Sequence, residues 1–236
     1  WRLVETLSHL IITPIRTAAQ PAFAAMRRAG ARPADMLVDA LRIATLVLYP
    51  AFLGLALVSG PLLVAVFGAD WGAAAPALVA LCAFGLLLSF DKLLQVFGLA
   101  LGQIGRFTLL TWVSVGLMAV LTPLAARWGI AAVAWASLVA LAVPGAVRLV
   151  IILQIGGLRV TDLLRPHGLP LVSAVAMGLA VAGVLGTLAG ASPLTLTATA
   201  VLAGMAIYAL ATLGFMRDRI GLLQQLVRGD RAQPQT

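Results

Sequence analysis

The stretch AAAPALVALCAFGLLLSFDKLLQVFGLALG, residues 73–102, holds two charges, Asp91 and Lys92, side by side in a long apolar run. A membrane-crossing helix needs about 20 apolar residues to span about 30 Å of hydrocarbon. At the helical rise this stretch reaches about 45 Å, so it reads as a transmembrane helix with Asp91 close to the bilayer middle. A charge at that depth costs several kcal/mol unless it is paired or hydrated. Neighbouring residues on a helix point about 100° apart, so Asp91 and Lys92 cannot neutralise each other, and each calls for a partner elsewhere or for a water-filled space. The competing reading breaks the helix near Phe90 and lays 91–105 in the membrane interface.

The rest of the chain agrees with a membrane protein. Hydrophobic residues make up 62% and charged residues 10% of the 236, and mean hydropathy is +1.07. Soluble domains run near half apolar and a quarter charged. Six stretches are long and apolar enough to cross: 37–60, 73–102, 106–126, 129–154, 168–190 and 193–215. Gly- and Pro-containing segments at 59–72, 102–106, 127–129, 156–168 and 190–193 separate them. The net charge of +8 is spread between the apolar runs rather than gathered in one patch, which argues against nucleic acid as a partner. Cys82 lies within an apolar run and reads as a buried thiol. His9 and His167 are far apart, and there is no CxxC, HExxH or phosphate-loop pattern, so no metal, cofactor or catalytic residue is expected.

Assigning alternate loops to alternate sides tests the count of spans. One side collects Arg27, Arg28, Arg32, Arg106, Arg159, Arg165, Arg217, Arg219, Arg228 and Arg231, whereas the other holds Arg127. By the positive-inside rule the first side is cytoplasmic, which puts the 27–35 loop and the C-terminus there. The tail 216–231 reads as a short amphipathic helix with basic ends on that surface. Arg42 and Arg148 fall within about two turns of a cytoplasmic helix end, where long side chains can snorkel to the headgroups.

The opening segment, RLVETLSHLIITPIRTAAQP (2–21), is different in kind. On a helix Arg2, Glu5, His9, Thr13, Arg16 and Gln20 fall within an arc of about 80°, with Leu3, Leu7, Leu10, Ile11 and Ile15 opposite. If this helix crosses the bilayer, its polar stripe must face other helices or water; the alternative is a helix lying in the headgroup plane. Glu5 is in reach of Arg2 and His9, while Arg16 has no acidic residue within one turn. Arg2 can also snorkel to the outer surface. A polar cavity walled by many helices is the usual design of a secondary transporter. The expected lining is Arg2, Glu5, His9, Arg16, Gln20, Asp91 and Lys92, with positive charge in excess, which favours an anionic substrate such as a phosphate or pyrophosphate group. The first residue is not Met and the first segment is already charged, so the chain is expected to be part of a longer protein.

Four stretches carry a family resemblance: QPAFAAMRR (20–28), LVSGPLLVAVFGADWGAAAPALVALCAF (57–84), GLALGQIGRF (98–107) and WGIAAVAWASLVA (128–140). In this order and spacing the chain resembles the polysaccharide and lipopolysaccharide flippases of the multidrug/oligosaccharidyl-lipid/polysaccharide exporter superfamily. The resemblance covers most of residues 1–165; residues 166–236 match in hydropathy alone. It implies an all-α, MATE-like fourteen-helix fold of two six-helix lobes around a central cavity. On that alignment 1–26 corresponds to helix eight and the six spans to helices nine to fourteen. Residues 1–155 then belong to the second lobe, 156–216 to two additional helices, and 217–236 to a cytoplasmic tail. The activity implied is transfer of undecaprenyl-pyrophosphate-linked oligosaccharide across the bacterial inner membrane by alternating access. The partners implied are that lipid-linked oligosaccharide, membrane lipid and the N-terminal half of the same protein. The family supplies no substrate residues to carry over, so the cavity residues rest on the physical reading.

The matched stretches also have structural readings. Gly68 and Gly72 permit a tight turn, Pro76 fits a first helical turn, Trp71 and Trp128 suit membrane interfaces, and Trp112 and Trp135 serve packing or lipid contact. An ion-coupled multidrug exporter of the same fold is the nearest alternative function, and would rest on Asp91 or Glu5. A non-transporting membrane scaffold gives no reason for charges at mid-depth. A membrane enzyme would need catalytic carboxylates or bases, whereas the outer loops carry Asp70 and Arg127. Nitroxides at positions 9 and 16 of the full-length protein should both report a hydrated, protein-lined site; headgroup depth or acyl-chain contact at both positions removes the proposed route.

Overall fold

The computed structural model describes residues 33–188 and 190–229. Every regular element among them is helical: α1 (Pro33–Leu57), α2 (Ser59–Phe67), a 3-10 turn (Ala69–Ala74), α3 (Ala75–Ala100), α4 (Ile104–Ala125), a second 3-10 turn (Ala126–Trp128), α5 (Ile130–Gly156), α6 (Val160–Thr187) and α7 (Pro193–Gly229). Six segments are long and apolar enough to cross a membrane: Asp35–Leu57, Ala69–Leu99, Ile104–Trp128, Ile130–Gly156, Val160–Thr187 and Pro193–Leu213. These are the six spans expected from hydropathy. The chain is therefore a polytopic helical membrane protein. α3 runs through Phe90 and on to Ala100 without interruption, which removes the reading that broke it there.

Three boundaries differ from expectation, each for a local reason. The segment 59–72 is not one long break. Pro61 has no N–H to offer the Leu57 carbonyl, so the helix is perturbed at Val58 (φ −92°, ψ 7°) and resumes as α2. The Val58 amide still reaches the Gly54 carbonyl at 3.1 Å and the Leu62 amide reaches Val58 at 2.9 Å, which makes this a kink rather than a loop. The chain turns only at Gly68, whose φ of +100° a side chain would resist. Pro76 then sits in the first turn of α3, where a missing N–H costs nothing.

The break at 156–168 likewise shrinks to Gly157–Arg159. The Asp162 carboxylate accepts the Arg159 amide at 3.0 Å and starts α6 at Val160, eight residues early. Pro166 and Pro170 fall inside the helix. Pro170 cannot donate to the Pro166 carbonyl, and the Thr45 hydroxyl of α1 lies 3.3 Å from that oxygen and 3.0 Å from the Arg42 carbonyl. Finally, α7 continues unbroken from the last span to Gly229, so the tail helix is an extension of the span rather than a separate element.

The helices pack in the order α4–α5–α3–α1–α6–α7, with α2 against α7. α4 is outermost: 6% of its most apolar window is buried, against 39% for those of α3 and α5. Its surface is apolar, with Leu109, Trp112 and Val120 all more than 60% exposed, as a lipid-facing helix requires. Trp135 is also exposed, so neither it nor Trp112 is a core residue. One core cluster joins α1, α3, α5 and α6 through Leu41, Phe52, Phe97, Ile152 and Leu163. A second, around Val58, Met177, Val181 and Tyr208, ties α1 to α6 and α7. With lipid outside, close packing and interhelical hydrogen bonds hold such helices together more than the hydrophobic effect does.

The GLALGQIGRF stretch (98–107) shows this directly. Its first and last residues meet across the α3–α4 turn: a Cβ on Gly98 would land on the Phe107 ring, which is 3% exposed. Gly98→Ala should therefore destabilise the protein by about 1–3 kcal/mol through overpacking, read as a lower thermal midpoint in detergent. Gly105→Ala, where nothing lies within 4 Å of the new methyl, should be close to neutral.

Candidate functional site

The inward stripe of α5 follows helical spacing through Ala134, Ser137, Leu141, Gly145, Arg148 and Ile152, all buried. Arg148 is thus placed by the same periodicity that places the core. On α3, Phe84, Asp91, Leu94 and Gly98 form the matching buried stripe. At the helical rise Asp91 lies about 14 Å from the end of α3 at Ala100, and Arg148 about 12 Å from the end of α5 at Gly156. Both helices end on the side that carries Arg106, Arg159 and Arg165, so the two groups meet at one level.

The meeting is an ion pair. Arg148 Nη1 donates to Asp91 Oδ1 at 2.5 Å and Oδ2 at 2.6 Å, with 1% and 2% of the side chains exposed. Gln95, one turn along α3, donates to Oδ2 at 2.8 Å. Arg148 Nη2 donates to Thr111 Oγ1 of α4 at 2.8 Å, and the Thr111 hydroxyl passes its own proton to the Phe107 carbonyl at 3.0 Å. One guanidinium therefore ties α3, α4 and α5. Arg148 Nε has no hydrogen-bond partner among the described residues.

This corrects the expectation for Arg148. It does not snorkel, because its stripe faces the core; on this helix Val143, Val147 and Val150 take the lipid side. Arg42 is exposed and pairs with Asp39 at 3.4 Å one turn away. Asp91 has found the interhelical partner its depth demanded. Lys92, turned away from that pair, is half-buried and has no ion pair among the described residues. Arg2, Glu5, His9, Arg16 and Gln20 lie outside the described residues.

Beside the pair is a cavity of about 350 Å³, lined by Leu41, Phe90, Asp91, Leu94, Gly145 and His167 among others. His167 Nδ1 lies 2.7 Å from the Tyr49 hydroxyl of α1, and its ring meets Phe90 edge-on with centroids 5.2 Å apart. The Tyr208 hydroxyl of α7 donates to the Leu46 carbonyl of α1 at 2.9 Å. A second, mostly apolar cleft of about 590 Å³ lies between α1, α6 and α7, near Pro50, Gly54, Met177 and Tyr208. No group of three or more metal-ligating side chains occurs among the described residues.

Residues 1–76 match the model of a family described as polysaccharide biosynthesis protein. The match takes in the opening polar segment, α1, α2 and the turn to Pro76. It supports a role for the chain in polysaccharide biosynthesis. No curated protein and no solved structure matches the chain.

Arg148, Thr111, Gln95, Tyr49 and His167 were not expected as site residues. The stripe of small and apolar residues through Arg148 was the readable signal for the first. The pairing of Tyr49 with His167 bridges 118 positions in sequence and has no local signature. Arg148→Ala should cost about 3–5 kcal/mol because it strands a buried carboxylate. Replacing Asp91 and Arg148 together by Leu and Met should recover most of that loss, read as thermal midpoints in detergent.

Proposed function

We propose that this chain forms part of a flippase that moves undecaprenyl-pyrophosphate-linked oligosaccharide across the bacterial inner membrane by alternating access, for cell-surface polysaccharide synthesis. The observation that carries the reading is the polysaccharide-biosynthesis match over residues 1–76 in a chain with six membrane-crossing helices. Sugars assembled on a lipid carrier must cross a bilayer, and a polytopic bundle with charged groups at depth is suited to that step. The work is binding and conformational change, with no covalent chemistry asked of the chain.

The anion preference is sharpened by the ion pair. Asp91 and Arg148 neutralise each other inside the bundle, so Asp91 does not offset cationic groups elsewhere. Arg2, Arg16 and Lys92 then outnumber Glu5 among the remaining candidate lining residues, which suits a pyrophosphate more than an organic cation. The same pairing weighs against the cation-coupled drug exporter, because that mechanism asks for a carboxylate free to bind and release its ion. The positive-inside rule favours the cytoplasm for the side that carries Arg106, Arg159 and Arg165, and for the C-terminus.

Arg16→Ala in the full-length protein should reduce surface polysaccharide at least about tenfold, the worth of one lost charge-assisted contact, with membrane insertion unchanged. Normal export in that variant rejects Arg16 as a substrate contact. Drug efflux lost on Asp91→Asn with polysaccharide export intact supports the exporter instead.

A further inference from the structure

We propose that α7 is the contact helix of a parallel dimer, pairing with α7 of a second copy of this chain along one stripe that runs from the membrane into water. The span ends at Leu213, yet the helix continues to Gly229, about 24 Å further along its axis. Helices bend sharply at proline, at Gly/Ser pairs, at π-bulges or where the hydrogen-bond ladder is interrupted. α7 has no proline after Pro193 and passes through Gly214 and Gly221 as regular α-helix. It therefore leaves the bilayer upright and does not lie on the headgroups as a surface-bound amphipathic helix would.

The sequence of this extension carries a pairing pattern. Leu213, Met216, Ile220, Leu223 and Val227 recur at alternating intervals of 3 and 4 residues. In heptad register Leu213, Ile220 and Val227 take a positions, and Met216 and Leu223 take d positions. Isoleucine and valine at a, with leucine at d, favour two parallel strands. Two copies inserted in the same sense send their α7 ends out of the bilayer side by side and parallel, so the membrane imposes the orientation that the pattern favours. In such a pair each g position lies next to an e position of the other copy. Here that joins Thr212 with Arg217 and Arg219 with Gln224, and no charge meets its like.

The same period runs back through the span. Leu202, Ala206, Ala209 and Leu213 are exposed, and Thr195 and Thr199 precede them in register. The nearly opposite face is buried, with Gly204 against Val181 of α6 and Tyr208 on the Leu46 carbonyl of α1. α7 closes the row of helices at the end away from α4, so its exposed face is open to a neighbour on that flank. The Thr199 hydroxyl donates to the Thr195 carbonyl at 2.8 Å, and the Thr195 hydroxyl lies 2.7 Å from that of Ser192, so neither brings an unmet polar group to the contact. From Thr195 to Val227 the stripe is about 50 Å long. At a width of about 10 Å it covers about 500 Å² on each copy and about 1,000 Å² in all, the size a specific interface needs.

The pairing is read without cargo, so its outcome is distinct from that of Arg16→Ala. In a parallel two-fold pair each a or d residue stands opposite its own copy, which makes single cysteines diagnostic. Residues 213–227 of the full-length protein are replaced by cysteine one at a time on a cysteine-free background and oxidised in membrane vesicles with copper phenanthroline. The yield of disulfide-linked dimer should peak at positions 213, 216, 220, 223 and 227, several-fold above Asp218→Cys and Gln225→Cys on the far side of the helix. A flat profile, a different period or no dimer overturns the proposal. Ile220→Glu with Leu223→Glu should abolish the disulfide at Met216→Cys while the amount of protein in the membrane stays the same; a disulfide that persists overturns it. A nitroxide at position 223 should report contact with protein, and acyl-chain contact there lays the tail on the bilayer and overturns the pairing.

Discussion

Asp91 and Arg148 can exist at this depth only together. Neither charge could be left alone in the bundle without a penalty of several kcal/mol, and the pair fixes much around it. The register between α3 and α5 is set, because sliding either helix by one residue would rotate a charge off its stripe. α4, otherwise the least buried helix, gains a hydrogen bond through Thr111. Gln95 completes the carboxylate from one turn away. The remaining contacts, apolar and close, add stability but would accept other registers more readily.

Around that fixed point, prolines and glycines decide where the helices give way. Pro61 kinks the first crossing without ending it, and Gly68 ends it. Gly98 lets the Phe107 ring fold back over α3 so that α4 can begin after a three-residue turn. Two of the stretches that carry the family resemblance, 57–84 and 98–107, contain these turns and close approaches. They set where the helices turn and how closely they approach.

The number, order and approximate bounds of the six described spans could be read from hydropathy alone, because about 20 consecutive apolar residues have few other uses. The need for a partner to Asp91 was also legible, since depth alone dictates it. Which partner was not. Arg148 stands close enough to a helix end to snorkel, and only the three-dimensional direction of its stripe decides against that. The extents of α2 and α6 do not follow from the proline positions, because a neighbouring helix can supply the hydrogen bond that proline removes, as Thr45 does for Pro166. The Tyr49–His167 bridge depends on how α1 and α6 are set against each other, which no local pattern encodes.

Pro166 and Pro170 leave the carbonyls of Asp162 and Pro166 without their helical donors. A helix usually resists bending because its ladder must stretch, but here two rungs are already gone. α6 is therefore mechanically compliant over its first turns, with one rung replaced by a side-chain hydroxyl from α1. The soft place in this helix was built in by covalent structure, before any packing, and it lies beside the residue that bridges α6 to its neighbour.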